Sequence, residues 1–321
     1  MKIVILEDYQ DAVRSLDCFR LLDGHEVTIH NDNVTDPEEL GGRLQGAEGL
    51  VLIRERTRVD EALLERAPSL RIISQTARGV AHIDLDSCTR RGVLVAAEGG
   101  RSEPTAELTW ALILAVARHI PQEDKRIREG KWQTTLGAGL SGKTLAILGF
   151  GRIGTRVGRV GRAFGMKLLA WGPTLTPDRA AAGGAEFADG LDDLFRRGDV
   201  VSIHLRFVPA TRGLVTKKQL SLMKPTAVLV NTARGPIVDE AALIETLRER
   251  RIAGAGLDVY DQEPLPKGHP LTQLDNAVLT PHLGYVTREN YESYFGLAFQ
   301  NIVNYARGNP TSILNPEARR S

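Results

Sequence analysis

Three short segments in the second half of the chain carry side chains suited to acid–base chemistry on an anion. They span residues 231–235, 258–264 and 280–284, and they supply Arg234, Glu263 and His282 respectively. A guanidinium binds a carboxylate through paired hydrogen bonds, and a histidine exchanges a proton near neutral pH. Each segment follows an apolar, strand-like run, and loops after buried parallel strands gather at one edge of a sheet. The pattern predicts one site that holds an anionic substrate and moves a proton.

Composition narrows the class of protein. The 321 residues, 42% of them hydrophobic, suffice for about two domains. A net charge of +1 without a long basic block argues against a nucleic-acid or acidic membrane partner. The apolar runs 1–6 and 110–117 are too short for a signal peptide or a membrane helix. Two isolated cysteines, Cys18 and Cys88, fit a reducing compartment and no metal site, so we expect a cytoplasmic protein.

Apolar runs alternate with amphipathic stretches along the chain, which predicts βα units and parallel sheets. A first series occupies the N-terminal third, and a second begins at the run Thr144–Leu148. Between them, Pro104–Ile120 predicts one buried connecting helix, and a glycine-containing loop at 129–139 is a candidate boundary. Residues 287–307 predict a last helix that stops at Gly308.

A glycine-rich turn opens the second series. Gly149, Gly151 and Gly154 form GxGxxG directly after the strand-like run and before a helix-compatible stretch. In that context the glycines allow a tight turn, approach of a pyrophosphate and close helix packing. The alternative is a glycine-rich turn without a ligand.

The next strand-like run, Lys167–Trp171, bears on the choice of cofactor. An NAD-selective protein carries an acidic residue at its end to bind the adenine ribose. This chain has Gly172-Pro173-Thr174 there, and the nearest basic residue downstream is Arg179. The sequence therefore predicts NAD or NADP and does not choose between them.

Together these motifs resemble one enzyme family. GFGRIG at 149–154, NTARG at 231–235, the segment 258–264 ending in Glu-Pro, and TPH-x-G at 280–284 occur in the order found in D-isomer-specific 2-hydroxyacid dehydrogenases. Residues 79–84 are similar to the family's substrate loop. The resemblance implies a Rossmann dinucleotide-binding domain inserted in a flavodoxin-like substrate domain, both α/β and doubly wound. Residues 1–99 and 287–321 would form the substrate domain, residues 100–286 the cofactor domain, and the site would lie in the cleft.

The resemblance also implies roles for individual residues. His282 resembles the acid/base, Glu263 its carboxylate partner, and Arg234 the residue that binds the substrate carboxylate. Asp258 matches the position that holds the nicotinamide carboxamide, and the backbone around Arg78 and Gly79 would complete the carboxylate site. The implied cofactor-binding set is Gly149, Gly151, Arg152, Ile153, Gly154, Gly172, His204, Thr232, Ala233, Asp258 and His282.

Each role has a structural alternative. His282 could be a structural hydrogen-bonding residue, Arg234 a surface ion-pair partner and Glu263 an ordinary loop acid. Asp258 could cap a turn. His204 could equally line the nicotinamide pocket or face inward as a structural histidine.

The substrate loop departs from the family pattern. Ala77-Arg78 stands where a glycine and a small apolar residue are common, and His82 where asparagine is frequent. Arg78, or the pair Arg54 and Arg56, could therefore favour a second anionic group on the substrate. The alternative is that these are surface arginines paired with Glu55 or other acids.

The predicted function is hydride transfer between NAD(P)H and C2 of a small 2-oxo or 2-hydroxy acid of the D series. The alternative is a dinucleotide-sensing co-repressor of the same fold, for which turnover is secondary. The family resemblance implies a homodimer formed through the cofactor domain, and the apolar helix from Pro104 fits that use.

Overall fold

Two compact units make up the chain in a computed structural model, which describes the backbone of residues 1–320 and the side chains of residues 1–318. One unit comprises residues 1–101 and those from 286 onward, and the other residues 102–285. Each unit has its own parallel sheet.

The first unit contains a five-stranded parallel sheet within the described residues. Its strands are β1 (Lys2–Ile5), β2 (Glu26–Ile29), β3 (Gly49–Leu52), β4 (Ile72–Gln75) and β5 (Leu94–Ala97). The helices between them are α1 (Pro37–Arg43), α2 (Glu61–Arg66) and α3 (Leu85–Arg90). The order β2-β1-β3-β4-β5 reverses between β1 and β3, so Ile3 of β1 lies opposite Val27 on one side and Gly49 on the other. This is a doubly wound, flavodoxin-like arrangement.

The second unit contains a seven-stranded parallel sheet, again counted over the described part of the chain. Its strands are β6 (Thr144–Leu148), β7 (Lys167–Trp171), β8 (Glu186–Phe187), β9 (Val200–Ile203), β10 (Val228–Asn231), β11 (Gly254–Leu257) and β12 (Ala277–Leu279). Its helices are α4 (Glu103–Ala117), α5 (Ile120–Arg128), α6 (Arg152–Ala163), α7 (Pro177–Ala182), α8 (Leu191–Arg197), α9 (Lys217–Leu222) and α10 (Glu240–Arg248). The order β12-β11-β10-β9-β6-β7-β8 reverses between β6 and β9. The predicted fold class, two doubly wound α/β domains, is confirmed.

Strand burial explains the near-continuous apolar runs of the sequence. All residues of β3, β4, β5, β9, β10 and β11 are buried. Parallel strands covered on both faces need apolar side chains on both sides. A last helix, α11 (Arg288–Ala306), buries Phe295 and Phe299 in the first unit and begins where the Thr287 side chain accepts a hydrogen bond from the Asn290 amide.

The predicted connecting helix is α4, which ends at Ala117, three residues before the predicted end at Ile120. A second helix, α5, which was not predicted, starts at Ile120 after His119 takes a left-handed conformation with φ 53°. Helix α4 buries Trp110, Ile113 and their neighbours in the core of its own unit.

No helix in residues 1–320 has the length and apolar character to cross a bilayer. Nor do the described residues hold a group of three or more His, Cys, Asp and Glu side chains that could bind a metal ion.

Both thiols are predicted to be unreactive in the folded protein. Burial raises the pKa of Cys88 to about 12, and burial together with the Glu292 carboxylate raises that of Cys18 to about 12. Because the thiolate is the nucleophile, we expect a disulfide reagent to label neither cysteine at mildly alkaline pH. Release of the chromophore from such a reagent measures this, and both cysteines should react in denaturant. Fast labelling before unfolding would contradict the prediction.

Candidate active site

The three segments that carry Arg234, Glu263 and His282 all lie in the second unit. They follow β10, β11 and β12, which are neighbours in the sheet. The carboxyl ends of parallel strands share one edge, so the three loops leave the sheet side by side.

His282 and Glu263 form a direct pair. Nδ1 of His282 lies 2.6 Å from Oε2 of Glu263, and the Tyr260 amide donates to Oε1 at 3.0 Å. The imidazole also packs edge-on against Tyr285, with ring centroids 5.7 Å apart. Since Glu263 engages Nδ1, Nε2 is the ring nitrogen left to exchange a proton with a ligand.

The charges around Glu263 keep it ionised. Burial raises the pKa of Glu263. The hydrogen bond with His282 and the positive charges of His282 and Arg234 outweigh burial and hold this pKa below its usual value. An ionised carboxylate at Nδ1 forms a hydrogen bond with the imidazole and fixes the orientation of the ring. The side chains of His282 and Glu263 remain 23% and 34% exposed, so solvent weakens the interaction.

Arg234 is held by its own turn. The Asn231 side-chain amide donates to the Arg234 carbonyl at 3.0 Å, and its oxygen accepts from the Ala233 amide at 3.0 Å. Gly235 must be glycine, because a Cβ there would overlap the Tyr260 carbonyl. The turn at 231–235 is therefore packed against the segment that leads to Glu263.

Asp258 organises the histidine loop. Its fully buried carboxylate accepts hydrogen bonds from the Thr280 hydroxyl at 2.6 Å and from the amides of Leu283 at 2.7 Å and Gly284 at 2.8 Å. Burial raises the pKa of Asp258, and these hydrogen bonds offset part of that rise. Sequence reasoning assigned Asp258 to the cofactor and missed this contact with the residues flanking His282.

The glycine turn has the shape that a dinucleotide needs. Gly149 has φ 98°, and a Cβ there would lie 2.7 Å from the His204 carbonyl carbon. A Cβ on Gly154 would strike the Gly149 carbonyl, whereas one on Gly151, at the start of α6, would meet nothing within 4 Å. The first and third glycines serve packing, and the second leaves space at a helix N-terminus, where amides attract a phosphate. The residues therefore fit a dinucleotide.

Other predicted cofactor residues also lie in the second unit. Gly172 lies against Gly149, since its Cβ would be 3.7 Å from the Gly149 Cα. Nε2 of His204 lies 2.8 Å from the Ser202 hydroxyl, and its buried Nδ1 has no partner within residues 1–320. Burial lowers the pKa of His204 to about 3, so the ring is neutral. The Thr232 hydroxyl pairs with that of Thr109 at 2.9 Å.

Arg78 and Gly79 lie in the first unit, in the loop after β4. Gln75, the last residue of β4, donates to the carbonyls of Arg54 at 2.8 Å and Gly79 at 3.1 Å. Its buried Oε1 has no partner in the described chain and can accept a hydrogen bond from a ligand or water.

Comparison with known proteins decides the family. Residues 110–284 match the model of the D-isomer specific 2-hydroxyacid dehydrogenase, NAD binding domain. The chain belongs to this family. A glyoxylate reductase from Aeropyrum pernix is 45% identical over 271 residues, 81% of each chain.

Solved structures of the family are similar to this chain over nearly its whole length. A phosphoglycerate oxidoreductase from Vibrio cholerae is similar with a TM-score of 0.93 and 45% identity, over 96% of this chain and 99% of that one. D-lactate dehydrogenase from Aquifex aeolicus, complexed with NAD and lactic acid, has a TM-score of 0.79 and 27% identity, over 98% of this chain and 99% of that one. This 2-hydroxyacid dehydrogenase is thus an NAD(P)-dependent oxidoreductase that transfers hydride at C2 of 2-hydroxy acids. None of these matches supports the co-repressor alternative.

Several supporting residues escaped sequence reasoning. Thr280, Tyr260 and Tyr285 contact Asp258, Glu263 and His282 respectively. Thr280 and Tyr260 lie inside the motifs, and their position there was the one sequence feature that could have indicated a role. Tyr285 directly follows the last motif, and no sequence feature indicated its contact with His282.

Glu263→Gln should keep a hydrogen-bonding group at Nδ1 of His282 but remove the ionised carboxylate. We expect carbonyl reduction to slow by about tenfold, because a hydrogen bond to a charged group is stronger than a neutral one by about 1 kcal/mol. Steady-state rates of reduction measure this. An unchanged rate would contradict the prediction.

The same variant should affect stability in a pH-dependent way. A carboxyl whose pKa is lowered by folding stabilises above its unfolded pKa and loses that contribution as the pH falls through the folded value. The difference in unfolding free energy between Glu263→Gln and the parent protein should therefore shrink from neutral to acidic pH in urea titrations.

Proposed function

We propose that Arg234, Glu263 and His282 are the catalytic residues, with Arg234 binding the substrate carboxylate. The observation that carries this is the 2.6 Å pair of His282 and Glu263, with Arg234 close enough to lower the pKa of Glu263. An arginine and a histidine paired with a carboxylate together suit a 2-oxo acid, which presents an anion beside a carbonyl.

The hydrogen bonds of His282 indicate the route of the proton. In reduction, Nε2 of the imidazolium donates its proton to the carbonyl oxygen while Glu263 stabilises the ring through Nδ1. In oxidation, neutral Nε2 removes the hydroxyl proton. The nicotinamide, when bound, supplies or accepts the hydride.

We assign dinucleotide binding to the second unit. Gly149, Gly151 and Gly154 would hold the pyrophosphate with the amides of Arg152 and Ile153, and the unpartnered Nδ1 of His204 would face the cofactor. Thr232, Ala233, Gly172 and His282 complete the proposed set. Asp258 retains acceptor capacity on Oδ2, which accepts one hydrogen bond, so it can also hold a carboxamide.

Either NAD or NADP is compatible with the turn after β7. Residues 172–177 contain no acid to repel a 2′-phosphate. Arg179 donates to the Thr174 carbonyl at 2.9 Å, which places one cation beside this turn.

In the first unit, we propose the backbone amides of Arg78 and Gly79 as anion-binding groups. The substrate is a small 2-oxo or 2-hydroxy acid rather than a nucleic acid, in keeping with the net charge of +1. A cytoplasmic location is in keeping with the two free cysteines.

We propose a homodimer formed through residues 120–136 rather than through α4. Helix α4 buries its apolar face in the core of its own unit. Ile120 and Ile127 are each 54% exposed, Trp132 75% and Leu136 95%, and an apolar set of this kind marks an interaction surface. Sedimentation of Trp132→Ser/Leu136→Ser should show a monomer if this is correct.

One experiment tests the activity. Loss of NADH and of NADPH absorbance is followed with glyoxylate, hydroxypyruvate, pyruvate and bulkier 2-oxo acids, beside His282→Asn. Turnover that depends on His282 supports the assignment. Cofactor binding without turnover of any acid would refute it.

A further inference from the structure

Tyr260 contacts all three of the segments that carry Arg234, Glu263 and His282. It lies three residues before Glu263 in the chain, and it is 5% exposed. Its amide, its carbonyl and its hydroxyl each contact a different segment, so one buried residue joins the parts of the site.

The backbone of Tyr260 makes two of these contacts. Its amide donates to Oε1 of Glu263 at 3.0 Å, which leaves Oε2 to His282. Its carbonyl lies against Gly235, where an added Cβ would overlap it. Any amino acid other than proline could supply this amide and carbonyl, so neither contact depends on the tyrosine side chain.

The hydroxyl of Tyr260 makes the third contact. It donates to the carbonyl of Thr280 at 3.0 Å and to that of Leu257 at 3.1 Å. The Thr280 carbonyl also accepts from the amide of His282 at 3.0 Å. The hydroxyl therefore binds the same oxygen that holds the backbone of His282.

The surroundings of this hydroxyl keep it a donor. Burial and the carboxylates of Asp258 and Glu263 raise the pKa of Tyr260, so the group stays protonated at neutral pH. A hydrogen bond away from water is electrostatically stronger than one in water. The contact is thus suited to fixing the position of the backbone that it binds.

The backbone of His282 is held on both sides. After it, the next two amides donate to the Asp258 carboxylate, and before it the carbonyl of Thr280 accepts from Tyr260. His282 itself has φ 54°, a strained conformation for a residue other than glycine, which persists where surrounding contacts enforce it. The Tyr260 hydroxyl is one of those contacts.

We propose that Tyr260 is a positioning residue for the reaction: its hydroxyl sets the backbone of His282 where the imidazole meets the carboxylate that its amide holds. This inference rests on the proposed function and adds to it a residue that acts through His282. Loss of the hydroxyl alone should move His282 relative to Glu263 and leave the turn of Arg234 in place.

Tyr260→Phe removes the hydroxyl and keeps the ring, the amide and the carbonyl. The two carbonyls that lose it retain backbone donors, the amides of Thr280 at 2.9 Å and His282 at 3.0 Å, so the variant should fold. We expect kcat to fall about three- to tenfold, the factor that one hydrogen bond commonly contributes. KM for the 2-oxo acid and the affinity for NADH should not change, because the groups that bind them stay in place.

Thr216→Ala controls for a general loss of stability. The Thr216 side chain caps helix α9 in the same unit by accepting from the Lys218 amide at 3.2 Å, and it lies outside the three segments. Loss of a helix cap destabilises a protein about as much as loss of one hydrogen bond does. This variant should lose a similar amount of stability in thermal melting and keep the parent kcat.

Two further measurements separate positioning from a structural role. In the His282→Asn background, Tyr260→Phe should lower kcat no further, because the group that it positions is gone. In the parent protein, the proton between Nδ1 of His282 and Glu263 should give a downfield NMR signal that His282→Asn removes. We expect this signal to shift in Tyr260→Phe and not in Thr216→Ala, and its detection needs no turnover.

The proposal is overturned if Tyr260→Phe retains the parent kcat or leaves the proton signal unshifted. It is also overturned if Thr216→Ala loses as much activity, or if Tyr260→Phe has its full effect in the His282→Asn background. A shifted proton signal in a protein that turns over no 2-oxo acid would instead support the positioning of His282 and refute the catalytic assignment.

Discussion

His282→Asn is expected to lower kcat by about 10² to 10⁴, the range that general acid–base catalysis contributes. Asparagine keeps a donor for Glu263 but cannot exchange a proton. It also suits the backbone, because His282 has φ 54° and asparagine tolerates the left-handed region better than alanine does. The loss should therefore be chemical rather than structural.

The chain supplies a matched control for this variant. His269 also faces a carboxylate, with Nε2 at 3.2 Å from Glu240, but it lies outside the motifs. His269→Asn should retain most activity. Both variants should bind NADH as the parent protein does, measured by fluorescence, and melt at similar temperatures. Activity of His282→Asn within tenfold of the parent would contradict its role as the acid/base.

Asp258→Asn should cause the second largest effect, on both stability and activity. The carboxylate accepts on both oxygens, so an amide must point its NH₂ group at either the Gly284 amide or the pair formed by Thr280 and the Leu283 amide. Leaving a buried donor unsatisfied costs about 1–3 kcal/mol. For a unit of this size that corresponds to a fall in Tm of roughly 2–12 °C.

The displaced loop is the one that carries His282, so activity should fall with it. A shift of about 1 Å in a catalytic group can cost on the order of a hundredfold in rate. Asp261→Asn is the control, because Asp261 lies in the same segment but is exposed. Thermal melting and kcat are measured for both variants. An Asp258→Asn protein with the parent Tm and kcat would show that the hydrogen bonds do not position the loop.

Much of the fold could be predicted from the local pattern of apolar and polar residues. The bounds of β6 and β7 coincide with the apolar runs 144–148 and 167–171, because strands covered on both faces must be apolar throughout. The end of α4 at Ala117 and the start of α5 at Ile120 could not be predicted. The left-handed residue that precedes α5, His119, is an ordinary histidine rather than a glycine.

The sequence by itself determined the kinds of groups available: a glycine turn, a histidine, a carboxylate and an arginine, each placed after a buried strand. Those properties are local, since residue type and strand pattern reside in contiguous segments. Only the tertiary structure decided that Glu263 meets Nδ1 of His282 and that Asp258 holds the histidine loop. These contacts join residues far apart in the chain, and no local periodicity encodes which side chains packing will bring together.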